Sequence, residues 1–362
     1  MKLKSLRSFF RSSFKKKKSS STNVGSSKKM KGNFYTRFDL GKELGRGKYG
    51  VVKEAIDKTT GEVLAVKIVS KSKLGKVELE SIKDEVKILQ TMDHPNIIKC
   101  YGKYEDADNF YIATELARGG ELFDRICKKQ YYTESEAAKC IKTIAEALQY
   151  CNEKGVVHRD LKPENVLLQS MSDDTTIKLA DFGFAKEIDP NGEGYELQTS
   201  CGTPGYIAPE ILMRKPYGKE VDMWSLGVIA YVLLCGYTPF NHSNQSKLFK
   251  MIKKGEYQFD AEYWEGVSDD AKSFVAGLLV VDPSGRMTAN EVLSHGWLQT
   301  QSERDITPVL TKLRGYQARR RLKKGVLAVQ GAVFLQKGAS QRISDISGET
   351  SGSENTVSNP AI

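Results

Sequence analysis

Apolar and polar positions form short alternating runs through the first third of the chain. The β-branched pair at 51–52 follows a glycine-rich segment, a turn at 60–61 comes next, and 63–67 is a second apolar run. Such runs bounded by glycine turns predict strand, turn, strand, turn and strand. Apolar residues within 82–89 instead recur at helical spacing, which predicts a helix. Residues 110–116 predict a further strand that leads into a linker.

The composition narrows the class of protein. The length of 362 residues is ample for a substantial hydrophobic core. Its six cysteines form no Cys-x-x-Cys pair, which predicts free thiols in a reducing compartment. No run of 18 apolar residues indicates a membrane span, and the N-terminus lacks the apolar centre of a secretion signal. A cytoplasmic location is expected, with membrane-peripheral and nuclear locations as alternatives.

Charge is distributed unevenly. Residues 1–31 contain eleven Lys or Arg and no acid, and residues 306–344 contain nine and no acid. Since residues 345–362 contain three acids and the whole chain carries +10, residues 32–305 carry −7. This acidic body favours basic protein substrates and argues against nucleic acid as a partner.

The first 18 residues predict a basic amphipathic helix. Four apolar residues fall on one helical face among basic neighbours: Leu3, Leu6, Phe10 and Phe14. This pattern suits an anionic membrane surface. Position 2 is Lys2, where N-myristoylation needs glycine, so membrane binding would be reversible. A disordered tail, a nuclear localisation signal and an organellar transit peptide are the alternatives.

The richest chemistry lies in the run His158-Arg159-Asp160-Leu161-Lys162-Pro163-Glu164-Asn165, followed sixteen residues later by Asp181-Phe182-Gly183. Pro163 predicts a loop. Phosphoryl transfer depends on positioning and charge neutralisation, and these residue types supply both. Asp160 can orient a substrate hydroxyl, Lys162 can neutralise the transferring phosphoryl group, and Asn165 and Asp181 offer the oxygen ligands that Mg²⁺ prefers. A solvated acidic loop is the alternative that so many coincident residues disfavour.

A second motif is the G-x-G-x-x-G formed by Gly45, Gly47 and Gly50. The same spacing occurs in dinucleotide-binding folds, where it opens a helix, whereas strand residues follow here. With the apolar run that ends at Lys67, and with the loop motifs, it resembles the signature set of protein kinases, and Lys162-Pro163-Glu164-Asn165 resembles the Ser/Thr branch.

The resemblance implies an α+β fold with two lobes, a small N-lobe with an antiparallel β-sheet and helix C, and a larger, mainly α-helical C-lobe. It implies ATP and Mg²⁺ as cosubstrates. The ATP site would comprise glycines 45, 47 and 50 over the phosphates, Lys67 on the α- and β-phosphates, and a set around adenine: Val52, Ala65, Glu115, Leu116 and Leu167. Glu85 would be the ion-pair partner of Lys67, with Asp84 as a competitor by spacing.

Two further stretches carry implied roles. Gly119-Gly120-Glu121-Leu122-Phe123-Asp124 resembles the calmodulin-dependent kinase group and implies that Glu121 and Glu164 receive an arginine three residues before the substrate hydroxyl. A charge at a helix N-terminus is the alternative role for Glu121. Residues 197–210 resemble an activation segment. This implies that an upstream kinase phosphorylates Thr199 and that Thr203 contacts Asp160 and Lys162.

That resemblance also assigns three architectural residues and the phosphate partner. Glu210 would pair with Arg286, and Asp222 would brace the catalytic loop. Arg159 would be the cation that receives a phosphate on Thr199.

The C-terminal flank is basic and apolar. Its apolar positions stand at spacing 1-5-8-14, namely Leu322, Val326, Val329 and Leu335, beside Arg319-Arg320-Arg321. This pattern is typical of helices that bind calmodulin, and it resembles the regulatory segment of type II calmodulin-dependent kinases. We expect residues from about 306 to 337 to inhibit the enzyme until Ca²⁺/calmodulin removes them, and truncation after Leu298 to free the kinase. A purely structural helix is the alternative.

These interpretations divide the chain into a basic tail (1–37), a kinase domain (38–298), an autoinhibitory and calmodulin-binding segment (299–338) and a disordered tail (339–362). No association domain follows, so a monomer is expected. A pseudokinase scaffold and a membrane adaptor that acts through the basic tails are the alternative functions. The presence of all five catalytic residues disfavours the scaffold: Lys67, Glu85, Asp160, Asn165 and Asp181.

Overall fold

The computed structural model describes residues 34–46, 50–188, 197, 201–299 and 302–322. Its internal contacts divide the chain into two units, residues 1–313 and residues 314–362. The predictions for 1–33 and 339–362 lie outside the described residues, as do Gly47, Thr199, Val326, Val329 and Leu335. None of the described helices is long and apolar enough to cross a membrane.

The N-terminal part of unit 1 is a five-stranded antiparallel sheet of order β1-β2-β3-β5-β4. The strands are β1 Phe38–Arg46, β2 Gly50–Asp57, β3 Val63–Ser70, β4 Cys100–Glu105 and β5 Asn109–Thr114. Gly50 is needed where β2 begins, since a Cβ there would lie 1.8 Å from the carbonyl oxygen of Ile68. The helix α2, Lys76–Thr91, packs Ile82 and Val86 against Phe110 of this sheet.

The sheet core includes residues before the predicted domain start. The short helix α1, Phe34–Arg37, places the buried ring of Phe34 against Tyr111, with ring centroids 4.3 Å apart. Arg37 forms an ion pair of 2.8 Å with the buried Asp57. The packed N-lobe therefore begins by Phe34, inside the segment assigned from sequence to the tail.

The rest of unit 1 is mainly helical and is built around one buried helix. This helix, α6 Glu220–Cys235, buries every residue from Val221 onwards, because it is apolar on all sides. The other helices are α3 Leu122–Ile126, α4 Glu134–Glu153, α5 Pro209–Leu212, α7 Gln245–Lys254, α8 Ala261–Trp264, α9 Asp269–Leu278, α10 Ala289–Ser294 and α11 Gly296–Gln299.

Five short strands connect the helical part to the sheet. A three-stranded sheet has the order β6-β8-β9, and β7 pairs with β10. Their bounds are β6 Gly120–Glu121, β7 Val156–Val157, β8 Val166–Leu168, β9 Ile177–Leu179 and β10 Lys186–Glu187. The loop between β7 and β8 holds residues 158–165, and the turn after β9 holds Asp181. The architecture thus confirms the predicted two-lobed α+β kinase fold.

Residues 302–313, which we call the C-terminal strap, are part of the helical lobe. Asp305 forms an antiparallel bridge with Thr133, and the amide of Ile306 donates to the carbonyl of Tyr132 at 3.0 Å. Ile306 and three residues of the helix at 309–322 are buried: Val309, Leu310 and Leu313. The strap lies so close to the end of α6 that a Cβ on Gly236 (φ +82°) would sit 2.6 Å from that of Lys312.

Candidate active site

The catalytic loop brings its predicted residues together. The hydroxyl of Thr203 donates to Asp160 Oδ1 at 2.8 Å, and Lys162 Nζ forms an ion pair with Asp160 Oδ2. Lys162 also donates to Thr203 Oγ1 at 3.2 Å. Asp160 is almost fully buried. One carboxylate therefore lies beside one ammonium group and one hydroxyl, an arrangement that can orient a substrate hydroxyl and neutralise a phosphoryl oxygen.

Asp222 fixes the backbone of this loop. Its two carboxylate oxygens accept hydrogen bonds from the backbone N–H groups of His158 and Arg159, at 2.7 and 2.8 Å. Complete burial raises the pKa of the Asp222 carboxyl, although these N–H groups and His158 counteract the effect. The hydrogen bonds help to keep Arg159 at φ +66°, a left-handed conformation that is costly for a residue other than glycine. The predicted brace between Asp222 and the loop is thus present.

Lys67, Glu85 and Asp181 form a second cluster, across the two lobes. Lys67 Nζ lies 2.7 Å from Glu85 Oε1 and 3.4 Å from Asp181 Oδ1. Asp84, the competitor by spacing, instead pairs with Lys186. Burial opposes the charge on Lys67, but the two carboxylates outweigh burial and raise its pKa. Burial also opposes the charge on Asp181 and so raises its pKa. The nearby cations, Lys67 first, outweigh burial, so the net shift is downward and Asp181 is anionic.

Asn165 and Asp181 have the oxygen atoms that a magnesium site needs. The amide nitrogen of Asn165 donates to the carbonyl oxygen of Asp160 at 2.8 Å, which leaves Asn165 Oδ1 as the group that can bind a cation. The Asp181 side chain is 46% exposed and, like Arg159, has a left-handed backbone, with φ +61°. An amide oxygen and an anionic carboxylate fit the preference of Mg²⁺ for hard oxygen ligands.

The predicted adenine residues lie on the strands around the linker. Val52 and Ala65 are half-buried in β2 and β3, and Leu167 is half-buried in β8. The backbone N–H of Glu115 is already bonded to the carbonyl of Lys99 at 2.9 Å. Among the described residues, by contrast, no group accepts from the backbone N–H of Leu116 or of Ala117. Sequence reasoning missed Ala117, because backbone donors leave no trace in side-chain identity.

Side chains around the glycine-rich and substrate positions are partly described. Gly45 lies in β1 opposite Val52, and a Cβ there would meet no atom within 4 Å. Glu121, in β6 opposite Leu167, and Glu164, in the turn before β8, are both half-buried. Both residues already have interactions within the fold.

The activation segment approaches Arg159. Leu197 forms an antiparallel bridge with Tyr217, and the hydroxyl of Tyr217 accepts a hydrogen bond from Arg159 at 3.0 Å. Arg159 also donates to the carbonyl oxygen of Phe184 at 2.6 Å. Thr199 is outside the described residues, but its neighbour Leu197 is thereby tied to the residue that contacts Arg159. No sequence motif pointed to Tyr217.

A buried ion pair closes the segment at its other end. Arg286 donates to the two carboxylate oxygens of Glu210 at 2.8 and 3.0 Å, and both side chains are excluded from solvent. The predicted pairing of Glu210 with Arg286 is therefore confirmed. Of the predicted calmodulin anchors, only Leu322 is described. It lies at the end of a helix and is 69% exposed.

Comparison with known proteins agrees with this geometry. A family model described as the protein kinase domain matches residues 38–298. The Caenorhabditis elegans protein named calcium/calmodulin-dependent protein kinase type 1 is 43% identical over 304 residues, which cover 83% of this chain and 86% of the relative. The Emericella nidulans calcium/calmodulin-dependent protein kinase cmkA is 44% identical over 291 residues, 80% of this chain and 68% of the relative.

A third relative is the calcium/calmodulin-dependent protein kinase type II alpha chain of Drosophila melanogaster, 39% identical over 299 residues. That match covers 81% of this chain and 56% of the relative. The kinase fold, the assembled catalytic residues and these matches agree with one another. The chain belongs to the protein kinase family and is a Ser/Thr protein kinase of the calcium/calmodulin-dependent kinase type.

Proposed function

We propose that this kinase transfers the γ-phosphoryl group of ATP, with Mg²⁺, to Ser or Thr of basic proteins, and that Ca²⁺/calmodulin relieves inhibition by its C-terminal segment. One observation carries the catalytic part of the proposal. The group that can orient a hydroxyl, Asp160, shares the site with two cations, Lys162 and Lys67, that can hold phosphate oxygens.

Each catalytic residue has a distinct role. Asp160 accepts the hydrogen bond of the substrate hydroxyl and aims its oxygen, while Lys162 neutralises charge on the transferring group. Lys67, held by Glu85, positions the phosphates of ATP. Asn165 Oδ1 and Asp181 would hold Mg²⁺, which neutralises phosphate charge when bound. The N–H groups of Leu116 and Ala117 are the donors that adenine would meet at the linker.

The substrate preference rests on charge. Residues 32–305 carry −7, and Glu121 and Glu164 supply half-buried carboxylates that suit a bidentate arginine. We expect Glu121→Gln to weaken phosphorylation of a peptide with Arg three residues before the acceptor, and to leave a matched peptide with norleucine there unchanged. Steady-state kinetics with both peptides measures this. An equal loss for the two peptides would argue against the assignment.

Activation rests on the surroundings of Arg159. Its guanidinium donates to the hydroxyl of Tyr217 and to the carbonyl oxygen of Phe184. Leu197, two residues before Thr199, forms a β-bridge with the same Tyr217. A phosphate on Thr199 would offer Arg159 a stronger, charged acceptor and order the segment. An upstream kinase should therefore raise the activity of the wild-type enzyme and not that of Thr199→Ala. Phosphate incorporation at Thr199 with no change in rate contradicts the idea.

Regulation by calmodulin rests on the relatives' names and on the basic, apolar flank at 318–337. Calmodulin offers apolar grooves with acidic rims, and the flank at 318–337 offers apolar positions with arginines and lysines. Binding of that flank to calmodulin and binding to the kinase would exclude each other, so Ca²⁺/calmodulin would shift the equilibrium towards the open enzyme.

The strap changes how this proposal should be tested. Truncation after Leu298, the cut suggested by sequence, would remove four buried side chains of the C-lobe: Ile306, Val309, Leu310 and Leu313. Truncation after Leu313 keeps them. We expect the chain that ends at Leu313 to have a high basal rate that does not respond to Ca²⁺/calmodulin. The full chain should have a low rate that Ca²⁺/calmodulin raises.

Two variants at one position provide the control. Leu322→Glu places a charge on the predicted anchor face and should abolish stimulation, whereas Leu322→Met keeps the anchor apolar and should preserve it. A peptide-phosphorylation assay with and without Ca²⁺/calmodulin measures all four proteins. If the full chain is already as active as the chain ending at Leu313 and ignores calmodulin, the flank has a structural role and the regulatory proposal is wrong.

A further inference from the structure

Two ion pairs join α2 of the sheet lobe to β10 of the helical lobe. Asp84 pairs with Lys186, and Lys87 pairs with Glu187. We call these four residues the clasp. They line a cleft of about 210 Å³ between the two elements, and within the described part of the chain one apolar residue, Ile88, joins them in that lining. Pairing of charges is therefore the main connection between α2 and β10 at this point.

The order of the charges in the clasp favours a single alignment of the helix. Along α2 the acid precedes the base, and residues three positions apart lie on the same side of a helix. Along β10 the base precedes the acid. A shift of α2 that exchanged the partners would place Asp84 beside Glu187 and Lys87 beside Lys186. Both contacts would then join like charges, which repel each other.

The clasp gives α2 a second attachment to the helical lobe. The chain that follows the helix is bonded to β9, where the amide of Ile98 donates to the carbonyl oxygen of Leu179 at 2.9 Å. The apolar packing of α2 on its own sheet is non-directional and does not fix the helix relative to β10. The clasp lies near the middle of α2 and leads to β10, where Lys186 is opposite Val157 of β7, the strand that enters the catalytic loop. Two attachments set the direction of the helix, whereas one would let it pivot.

We propose that the clasp residues are positioning residues for phosphoryl transfer, which hold α2 where Glu85 meets Lys67. Glu85 directly follows Asp84 on the helix, and its Oε1 lies 2.7 Å from Lys67 Nζ. The inference rests on the proposed role of Lys67 at the phosphates of ATP. The clasp side chains are 37–65% exposed, so each pair adds little to the stability of the fold. A small energy is nevertheless enough to favour one position of a helix over another.

Charge reversal and charge exchange in the full-length protein test this role. Lys186→Glu places a like charge beside Asp84 and should lower kcat/KM for ATP roughly fivefold, or about 1 kcal/mol, with KM for the peptide substrate unchanged. The melting temperature should change by less than about two degrees. The exchange Asp84→Lys with Lys186→Glu restores the attraction and should bring kcat/KM back to within about twofold of wild type. The control is Lys254→Glu, which breaks a similarly exposed pair with Glu256 and should leave the kinetics unchanged.

A second comparison shows whether the clasp acts through Glu85. In the Glu85→Gln protein, Lys186→Glu should have no further effect on kcat/KM for ATP, because the residue that the clasp positions has lost its charge. Wild-type kinetics in Lys186→Glu, no recovery in the charge exchange, or a full additional loss in the Glu85→Gln protein would each overturn the inference while leaving the proposed function intact. Wild-type kcat/KM in Glu85→Gln itself would contradict the proposed role of the Lys67 pair, and the inference would fail with it.

Discussion

Asp160 and Lys67 belong to one candidate active site, but the fold holds them in different ways. Asp160 follows residues whose backbone is bonded to the buried Asp222, and its own carboxylate is bonded to Thr203, all within the helical lobe. Lys67 comes from the sheet of the other lobe and meets Glu85 of α2 and Asp181 of the turn after β9. One half of the site is therefore fixed by its own lobe, and the other half depends on how elements of both lobes meet.

The solvent exposure of the two halves differs as well. Asp160 and Asp222 are buried, whereas in the Lys67 cluster only Glu85 is buried: the Lys67 side chain is 34% exposed and that of Asp181 is 46% exposed. The hydrogen bonds that a buried carboxylate accepts from backbone N–H groups carry both the stability and the geometry of the loop, while an ion pair with one water-exposed partner adds less stability. We therefore expect changes to Asp222, which holds the loop of Asp160, to affect folding and rate together. Changes around Lys67 should affect mainly the rate.

The largest expected effect concerns chemistry at the two ends of the site. Asp160→Asn removes the group that orients the substrate hydroxyl, and Lys67→Met removes a cation from the phosphates. Each should lower kcat by about 10²–10⁴-fold. Neither should lower the melting temperature by more than a few degrees, as measured by differential scanning calorimetry beside the kinetics. A variant with wild-type turnover would remove its residue from the proposed machinery.

The next prediction separates the two halves directly. Asp222→Asn leaves one of the two backbone N–H groups facing an amide nitrogen, and should cost about 1–3 kcal/mol of unfolding free energy and lower kcat. Glu85→Gln should change unfolding free energy by less than about 1 kcal/mol, since an uncharged amide needs no compensating charge in this buried place and the 34% exposed Lys67 can turn to water. It should nevertheless lower kcat/KM for ATP roughly tenfold, because Lys67 loses the charge that holds it.

Chemical denaturation and ATP kinetics on this pair provide the measurement. The comparison predicts a crossed pattern in which Asp222→Asn is the less stable protein and Glu85→Gln retains its stability. If Glu85→Gln is as destabilised as Asp222→Asn, the Lys67 cluster carries folding energy and the distinction between the two halves is wrong.

Sequence predicted the loop-based half of the site well. A motif contiguous in sequence, such as residues 158–165, is contiguous in space, and the later partners Thr203 and Asp222 were found through motifs of their own. Glu85 and Asp84 could not be separated by spacing, because adjacent residues on α2 differ only in direction, and the structure assigns them different lysines.

What sequence missed has a common physical cause. Tyr217 acts through a single hydroxyl, the donors at the linker are backbone groups, and Phe34 and the strap matter because they fill space against distant elements. Burial of this kind depends on tertiary packing, which periodicity in a basic or polar-looking flank does not reveal. Both ends of the packed domain therefore extended beyond the boundaries that motifs suggested.

The smallest expected effect tests whether the sheet lobe has stability that is separate from the site. Asp57 accepts from Arg37 Nε and from the amide of Thr59, both at 2.9 Å. Burial raises the pKa of Asp57, but these hydrogen bonds outweigh it and the net shift is below the ordinary value of 3.8. A carboxyl whose pKa is lowered on folding stabilises the protein above that ordinary value, and the contribution is lost as pH falls through the folded-state pKa.

Asp57→Asn should thus cost about 1 kcal/mol near pH 6, and this difference from wild type should shrink as the pH falls below 3.8. Turnover at neutral pH should be unchanged, because Asp57 touches neither half of the site. Urea unfolding at several pH values measures the difference, and a gap that stays constant or widens in acid would show that packing, and not the charge of Asp57, ties α1 to the sheet.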